Sequence, residues 1–130
     1  MRKLFVRDKE GQSLIEFALV LPILLLVLFA IVEFGLAIMT ANILHTASRE
    51  GARLAAVKTE ADSILVQNRV QEILVAANIT DASISVIYDL DNHTVSVTVS
   101  KDFVIFSGGP LDPVVGPIPL SAYTVMRYEG

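Results

Sequence analysis

A carboxylate at Glu16 is followed at once by sixteen residues, Phe17 to Val32, that carry no charge and no hydrogen-bonding side chain. No other feature limits the folding of this chain so strongly. Thirteen of those sixteen are Leu, Ile, Val or Phe, and together they favour insertion into a bilayer by about 4 to 8 kcal/mol, more than one flanking Glu cancels. Extended from Leu14 to Met39 the apolar run makes about 39 Å of helix, against a hydrocarbon core of about 30 Å, so it fits a tilted span. Pro22 lacks an N–H for the carbonyl of Ala18 and crowds that turn, which predicts a bend or a loosened turn there. An ionisable group at the edge of such a segment is costly enough to suggest a function for Glu16, and the same holds for Glu33 near the other end.

The hydrophobic share of the chain, 53% of 130 residues, is too high for an ordinary soluble domain, and residues 14 to 39 hold most of the excess. Four of the ten basic residues (Arg2, Lys3, Arg7 and Lys9) and two of the fourteen acidic ones precede Gln12, leaving six basic against twelve acidic groups in the remainder. The basic tail before the span and the absence of Lys or Arg after it until Arg49 predict a cytoplasmic N-terminus and an extracytoplasmic C-terminal part. With no basic stripe beyond the tail, nucleic-acid binding is not expected. The chain has no cysteine, so packing alone must hold the domain. An ordinary secretory signal is the competing reading, with Gly35-Leu36-Ala37 as a small-x-small cleavage site. The apolar run exceeds the 7 to about 15 residues of such a signal, and the helical pattern passes through the cut unbroken.

Beyond Met39 the pattern becomes amphipathic. Leu44, Ala47, Gly51, Leu54 and Ala55 share one face, and Asn42, Thr46, Arg49, Glu50 and Arg53 the other, so one helix is predicted from about Gln12 to about Val57. The small residues of this stripe would let another backbone approach closely, as in a helix bundle or filament. Thr59 and Asp62 are spaced as a capping box opening a second helix to about Ala77, whose face carries Val66, Val70, Ile73, Leu74 and Ala77, widened by Ile64 and Leu65. Asn78 suits the left-handed terminal position. Alternating Ile84, Val86 and Tyr88, then Val95, Val97 and Val99, predict two strands joined by a turn at Asp89 to His93. The second strand is expected to extend towards Phe106, residues 107 to 119 to form a loop, and residues 120 to 128 a third strand. The predicted fold class is α+β: a long N-terminal transmembrane helix and a small head of one helix and a three-stranded antiparallel sheet. Its expected divisions are a basic leader at 1–11, a membrane helix at 12–39, a helical stalk at 40–58 and a head at 59–130.

Catalytic chemistry finds little support. Asp89, Asp91 and Asn92 resemble the start of a calcium loop, but the glycine and the distant Glu of that loop are missing, and Asx residues favour turns for local reasons. His45 and His93 offer no zinc spacing. The two Asn-x-Thr sequons, at Asn78 and Asn92, come without a eukaryotic secretory pattern. No cofactor, no metal and no small-molecule substrate is expected, and the chain does not read as an enzyme.

Three motifs do carry a resemblance. Gly11-Gln-Ser-Leu-Ile-Glu16-Phe17, continuing to Pro22, then Ile31-Val-Glu33-Phe-Gly35, then Ala47-Ser-Arg49-Glu50-Gly51-Ala-Arg53, resemble in that order the TadE-like pseudopilins of tight-adherence (Tad, type IVc Flp) pilus systems. Glu-Phe in place of the Glu-Tyr common in the major Flp pilin suggests a minor member, TadE-like or TadF-like, and the chain is too short for the large extra domain of TadG-like relatives. The resemblance implies cleavage between Gly11 and Gln12 by a membrane prepilin peptidase. It further implies a single-pass protein of the bacterial inner membrane that assembles with other Tad pilins or pseudopilins and the inner-membrane assembly platform, and either stays there or enters a surface pilus.

Within that reading, cleavage leaves a new amine at Gln12 one helical turn before Glu16, where pairing within the chain or with a neighbour's amine lowers the charge penalty in lipid. Glu16 would then guide one subunit into register with the next, Phe17 and the residues after it supplying apolar packing. Alternatively Glu16 merely reaches the headgroups. Glu33 either meets a partner helix or reaches the opposite interface. Arg49, Glu50 and Arg53 are a solvated helix face or a contact for a partner protein. The rival to a minor pilin is an uncleaved single-span envelope protein whose head is an interaction module.

Overall fold

In the computed structural model the described residues are 4–105 and 116–129, with side chains described from Lys9 onward except Ala61. The chain forms two compact units, Met1–Leu36 and Ala37–Gly130. Helix α1, Leu4–Ala56, contributes to both. It starts before Gln12, inside the predicted leader, because that stretch is rich in Arg, Lys and Glu, all good helix formers, and Gly11 alone costs only about 1 kcal/mol. Pro22 lies within it without ending it.

In the first unit, the apolar surface of α1 is exposed. Every Leu, Ile, Val, Phe and Met from Leu14 to Leu36 is exposed, and Ile38 and Met39 just beyond are exposed as well. A helix apolar all round satisfies its own backbone but cannot hide its side chains, so lipid or other helices must cover them.

The second unit has a conventional core. On α1 the buried residues are Leu44, Ala47, Ser48, Gly51, Ala52 and Ala55, alternating steps of three and one that put all six on a single stripe. The helix is followed by a single 3-10 turn, Glu60–Asp62, and then α2, Ser63–Ala76. Thr59 does not cap as predicted: its hydroxyl is spent on the Asp62 carboxylate (3.0 Å) and caps no backbone N–H, so the chain passes through the tight turn before α2 begins. Val66, Val70 and Leu74 are the buried face of α2. Ile64 and Leu65, predicted to widen it, are exposed, since at 3.6 residues per turn they project well away from the Val66, Val70 and Leu74 stripe. The helix ends in a left-handed Asn78 (φ 64°), with Ile79 N–H bonded to Leu74 O (2.8 Å) and Asn78 N–H to Val75 O (2.9 Å), a Schellman ending sealed by contact of the apolar Leu74 and Ile79.

Three antiparallel strands follow in sheet order β1-β2-β3: β1 Ser83–Asp89, β2 Thr94–Phe103 and β3 Ile118–Arg127. The α+β class is therefore observed. β2 ends at Phe103; Phe106 and most of the predicted loop lie outside the described residues. β3 starts two residues earlier than predicted and takes in Pro119, which an edge strand tolerates because it need not donate on its outer side. Pairing sets Val86, Val97 and Thr124 in one row and Tyr88, Val95 and Met126 in another, and these inward positions meet the helices while Ile87, Tyr123 and Val125 face outward. The β1–β2 turn is held by Asp89, whose carboxylate accepts Asn92 Nδ2 (2.7 Å) and Asn92 N (3.1 Å), and His93 takes the left-handed place (φ 51°). Those two bonds, the side-chain one foremost, hold the Asp89 carboxyl below the usual carboxylate range. At the far end of the sheet Lys101 pairs with Asp81 and holds its carboxyl below that range too.

Candidate functional site: the bare apolar segment of α1

The segment begins with Gly11, whose missing side chain faces open space. Around it the polar groups serve the helix itself: Ser13 Oγ donates to Lys9 O (3.1 Å), and Gln12 Nε2 to Glu16 Oε1 (3.4 Å). The second bond is long, and a pair four residues apart on an exposed helix is worth about 0.2 to 0.5 kcal/mol. Glu16 is exposed and Phe17 beside it is 61% exposed. Glu33 is half-buried. Glu16 and Glu33 stand about 26 Å apart along the helix axis at 1.5 Å per residue, which matches the roughly 30 Å hydrocarbon thickness once each carboxylate reaches for its interface. The surface between them is uncharged. This is the described helix long and apolar enough to cross a membrane, with none of its most apolar window buried, and it fits a membrane-anchored protein.

The residues predicted as a helix-packing stripe lie in the second unit, and their neighbours belong to the same chain. A side chain at Gly51 would meet Val70 Cγ2 at 2.5 Å and Val97 Cγ1 at 3.2 Å, so the close approach that a glycine permits is taken up by α2 and β2. Leu44 and Ala47 are fully buried in the same core, and Leu54 is half-buried. Of the polar trio, Glu50 bonds Arg53 (3.1 Å) and reaches Arg69 of α2 (3.9 Å), while Arg69 pairs more closely with Glu72 (2.9 Å). Glu50, Arg53, Leu54, Val57 and Arg69 line a groove of about 390 Å³. Arg49 is exposed and lies outside this set. Exposed pairs of this kind each contribute well under about 1 kcal/mol, so they decorate the α1–α2 contact more than they hold it.

Sequence reasoning did not single out Ser48. It is fully buried, with its hydroxyl 2.8 Å from Val97 O and 2.8 Å from Thr124 Oγ1. Having one proton, Ser48 donates to the carbonyl, and Thr124 supplies the proton of the second bond. One side chain thus fastens α1 to β2 and β3. The available signal was its position four residues after Leu44 and four before Ala52, inside the small-residue stripe. At the other end of the same stretch Glu129 N–H bonds Ala56 O (3.1 Å), and Tyr128 N–H bonds His93 O (2.7 Å), so the C-terminal residues close the end of α1. Tyr88 packs edge-on against Tyr128 (5.4 Å between ring centres) and its buried hydroxyl has no partner among the described residues. Burial pushes that phenol up, with Tyr128, Asp62 and Glu60 adding to the effect.

Among the described residues no three His, Asp or Glu side chains gather as a metal site. The family model described as TadE-like protein matches residues 11–53 of this chain. That span takes in the Gly11–Phe17 motif, the whole bare segment and the stripe as far as Arg53. Over that span the chain is similar to TadE-like proteins. No curated protein and no solved structure matches the chain.

Proposed function

We propose that this protein is a minor pilin or pseudopilin of a Tad pilus, anchored in the bacterial inner membrane, cleaved after Gly11 by a prepilin peptidase and acting by helix-helix assembly. The observation that carries the proposal is the exposed apolar surface of the helix from Leu14 to Leu36, while the second unit packs a core of its own. A mere anchor needs the same apolarity but has no use for a carboxylate at its cytoplasmic edge. Glu16 sits one turn beyond the proposed cut, where the freed amine of Gln12, its own or a neighbour's, offsets the cost of a charge in lipid. In this reading Glu16 sets subunit register, Phe17 and the residues to Val32 supply contact area, and Glu33 meets a partner or the outer interface. Prepilin peptidase, other Tad pilins, the assembly platform and membrane lipid are the partners, and the head from about residue 40 lies outside the cytoplasm.

The bond to be cut lies within α1, and a protease needs the backbone locally opened. Gly11 is the poorest helix former of its stretch, and Ser13 bonding back to the Lys9 carbonyl competes with the main-chain ladder there. Both ease opening at the same place. The test is the intact mass of the protein extracted from membranes of its host. A chain beginning at Gln12 is expected, and a chain still carrying Met1 in cells with normal pili overturns the proposal. Glu16→Ala is expected to be processed yet to lose copurification with pilus components. Unchanged copurification would remove the register role.

A further inference from the structure

Resting on the cleavage reading above, we infer that Glu16 also protects the new N-terminal residue, Gln12, from closing on itself. A free N-terminal glutamine is a reactive group. Its α-amine, once neutral, attacks its own side-chain carbon Cδ; the new N–Cδ bond closes a five-membered lactam, the Cδ–Nε2 bond breaks, and Nε2 leaves as ammonia carrying the proton lost by the amine. No co-reactant is needed, and the product has no cationic amine. Such an N-terminus would leave the carboxylate at the lipid boundary without its counter-charge.

Glu16 opposes both requirements of this closure. In the structure its Oε1 accepts a hydrogen bond from Gln12 Nε2 (3.4 Å), which holds the carboxamide towards the C-terminal end of the helix, away from its own main-chain nitrogen. After cleavage the same carboxylate lies one turn from the ammonium and favours the protonated, non-nucleophilic amine. The nearest other charged side chain after the cut is Glu33, and on the leader side Lys9 and Glu10 leave with the leader, so Glu16 faces this amine alone within its own chain. An exposed pair of opposite charges one turn apart changes the closed fraction by about one-and-a-half- to fivefold.

The experiment is intact mass and amine-reagent labelling of the mature protein recovered from membranes, comparing the natural sequence with Glu16→Ala, Glu16→Gln and Gln12→Ala. The inference predicts a mature natural chain that begins at Gln12, keeps its full mass and labels with the amine reagent, while Glu16→Ala shows about one-and-a-half- to fivefold more of the form that has lost ammonia. Glu16→Gln, which keeps an acceptor oxygen but no charge, should fall between them, and serves in place of Glu16→Ala if that variant is not processed. Gln12→Ala, lacking the carboxamide, should label fully. Equal ammonia loss in the natural chain and both Glu16 variants overturns the inference and leaves the cleavage reading standing. A chain that still begins at Met1 overturns the cleavage reading itself.

Discussion

The apolar residues of two stretches of α1, Leu14 to Met39 and Leu44 to Ala55, meet opposite fates. In the first, large branched and aromatic side chains cover the whole circumference and are exposed. In the second, Ala, Gly and Ser form a narrow stripe that is fully buried against α2 and the sheet, while Arg49 and Arg53 stay in water. Size explains the difference. Small residues let a helix lie close to its neighbours, so the chain can complete that contact within one molecule; a surface of Leu, Ile and Phe on all sides has more area than a small head could cover. The buried stripe is therefore taken up in folding, and the bare surface is what the proposed assembly would use.

The sharpest way to separate the two is to shorten one large side chain in each unit. Leu74→Ala leaves a cavity in the buried core and should cost the head about 2 to 5 kcal/mol, whereas Leu24→Ala should leave head stability unchanged and weaken association in the membrane. Hydrogen exchange of the head amides in the detergent-solubilised full chain reads the first, and copurification of pilus components the second. Ser48→Ala comes next. It leaves the Val97 carbonyl and the Thr124 hydroxyl short of a buried partner, for an expected loss of about 1 to 3 kcal/mol, again confined to the head. The smallest effect is that of acid. Asp81 and Asp89 both have carboxyls held below their ordinary range, so their contribution is fully present above an unfolded pKa of about 4 and disappears as pH falls through the lower folded values. Head stability should thus decline only below about pH 4, and Asp81→Asn, which weakens the Lys101 pair, should flatten part of that decline. A steep loss near pH 6 would mean that another group governs it.

Much of this division can be read from residue type. The uncharged run from Phe17 to Val32, the alternation at Ile84 to Tyr88 and Val95 to Val99, and the left-handed Asn78 each carry a local physical requirement, and each is found where that requirement places it. What stayed hidden depends on contacts distant in sequence. Gly51 looks equally suited to a neighbouring subunit and to its own α2 until Val70 and Val97 are seen against it. Ser48 looks like an ordinary helix-surface hydroxyl until β2 and β3 supply its partners. Ile64 and Leu65 look apolar enough to join the buried face, but at 3.6 residues per turn they fall well away from the Val66, Val70 and Leu74 stripe and stay exposed. For Glu16 and Glu33, their places at the two ends of the uncharged run are plain from the sequence.

The central claim, that the first stretch of α1 is a surface for lipid and other helices and the second is internal to the head, has a direct test because the chain contains no cysteine. Single cysteines placed at successive positions from Phe17 to Ala55 can be treated in intact cells with a membrane-impermeant thiol reagent, and membranes can then be exposed to a thiol crosslinker. Leu24→Cys and its neighbours should escape the reagent and crosslink to other pilus subunits, while Ala47→Cys and Ala52→Cys should escape it until the head is denatured and should not crosslink. Free labelling of the stretch from Phe17 to Val32 in cells, or crosslinking between molecules at Ala52 rather than at Leu24, would contradict the claim.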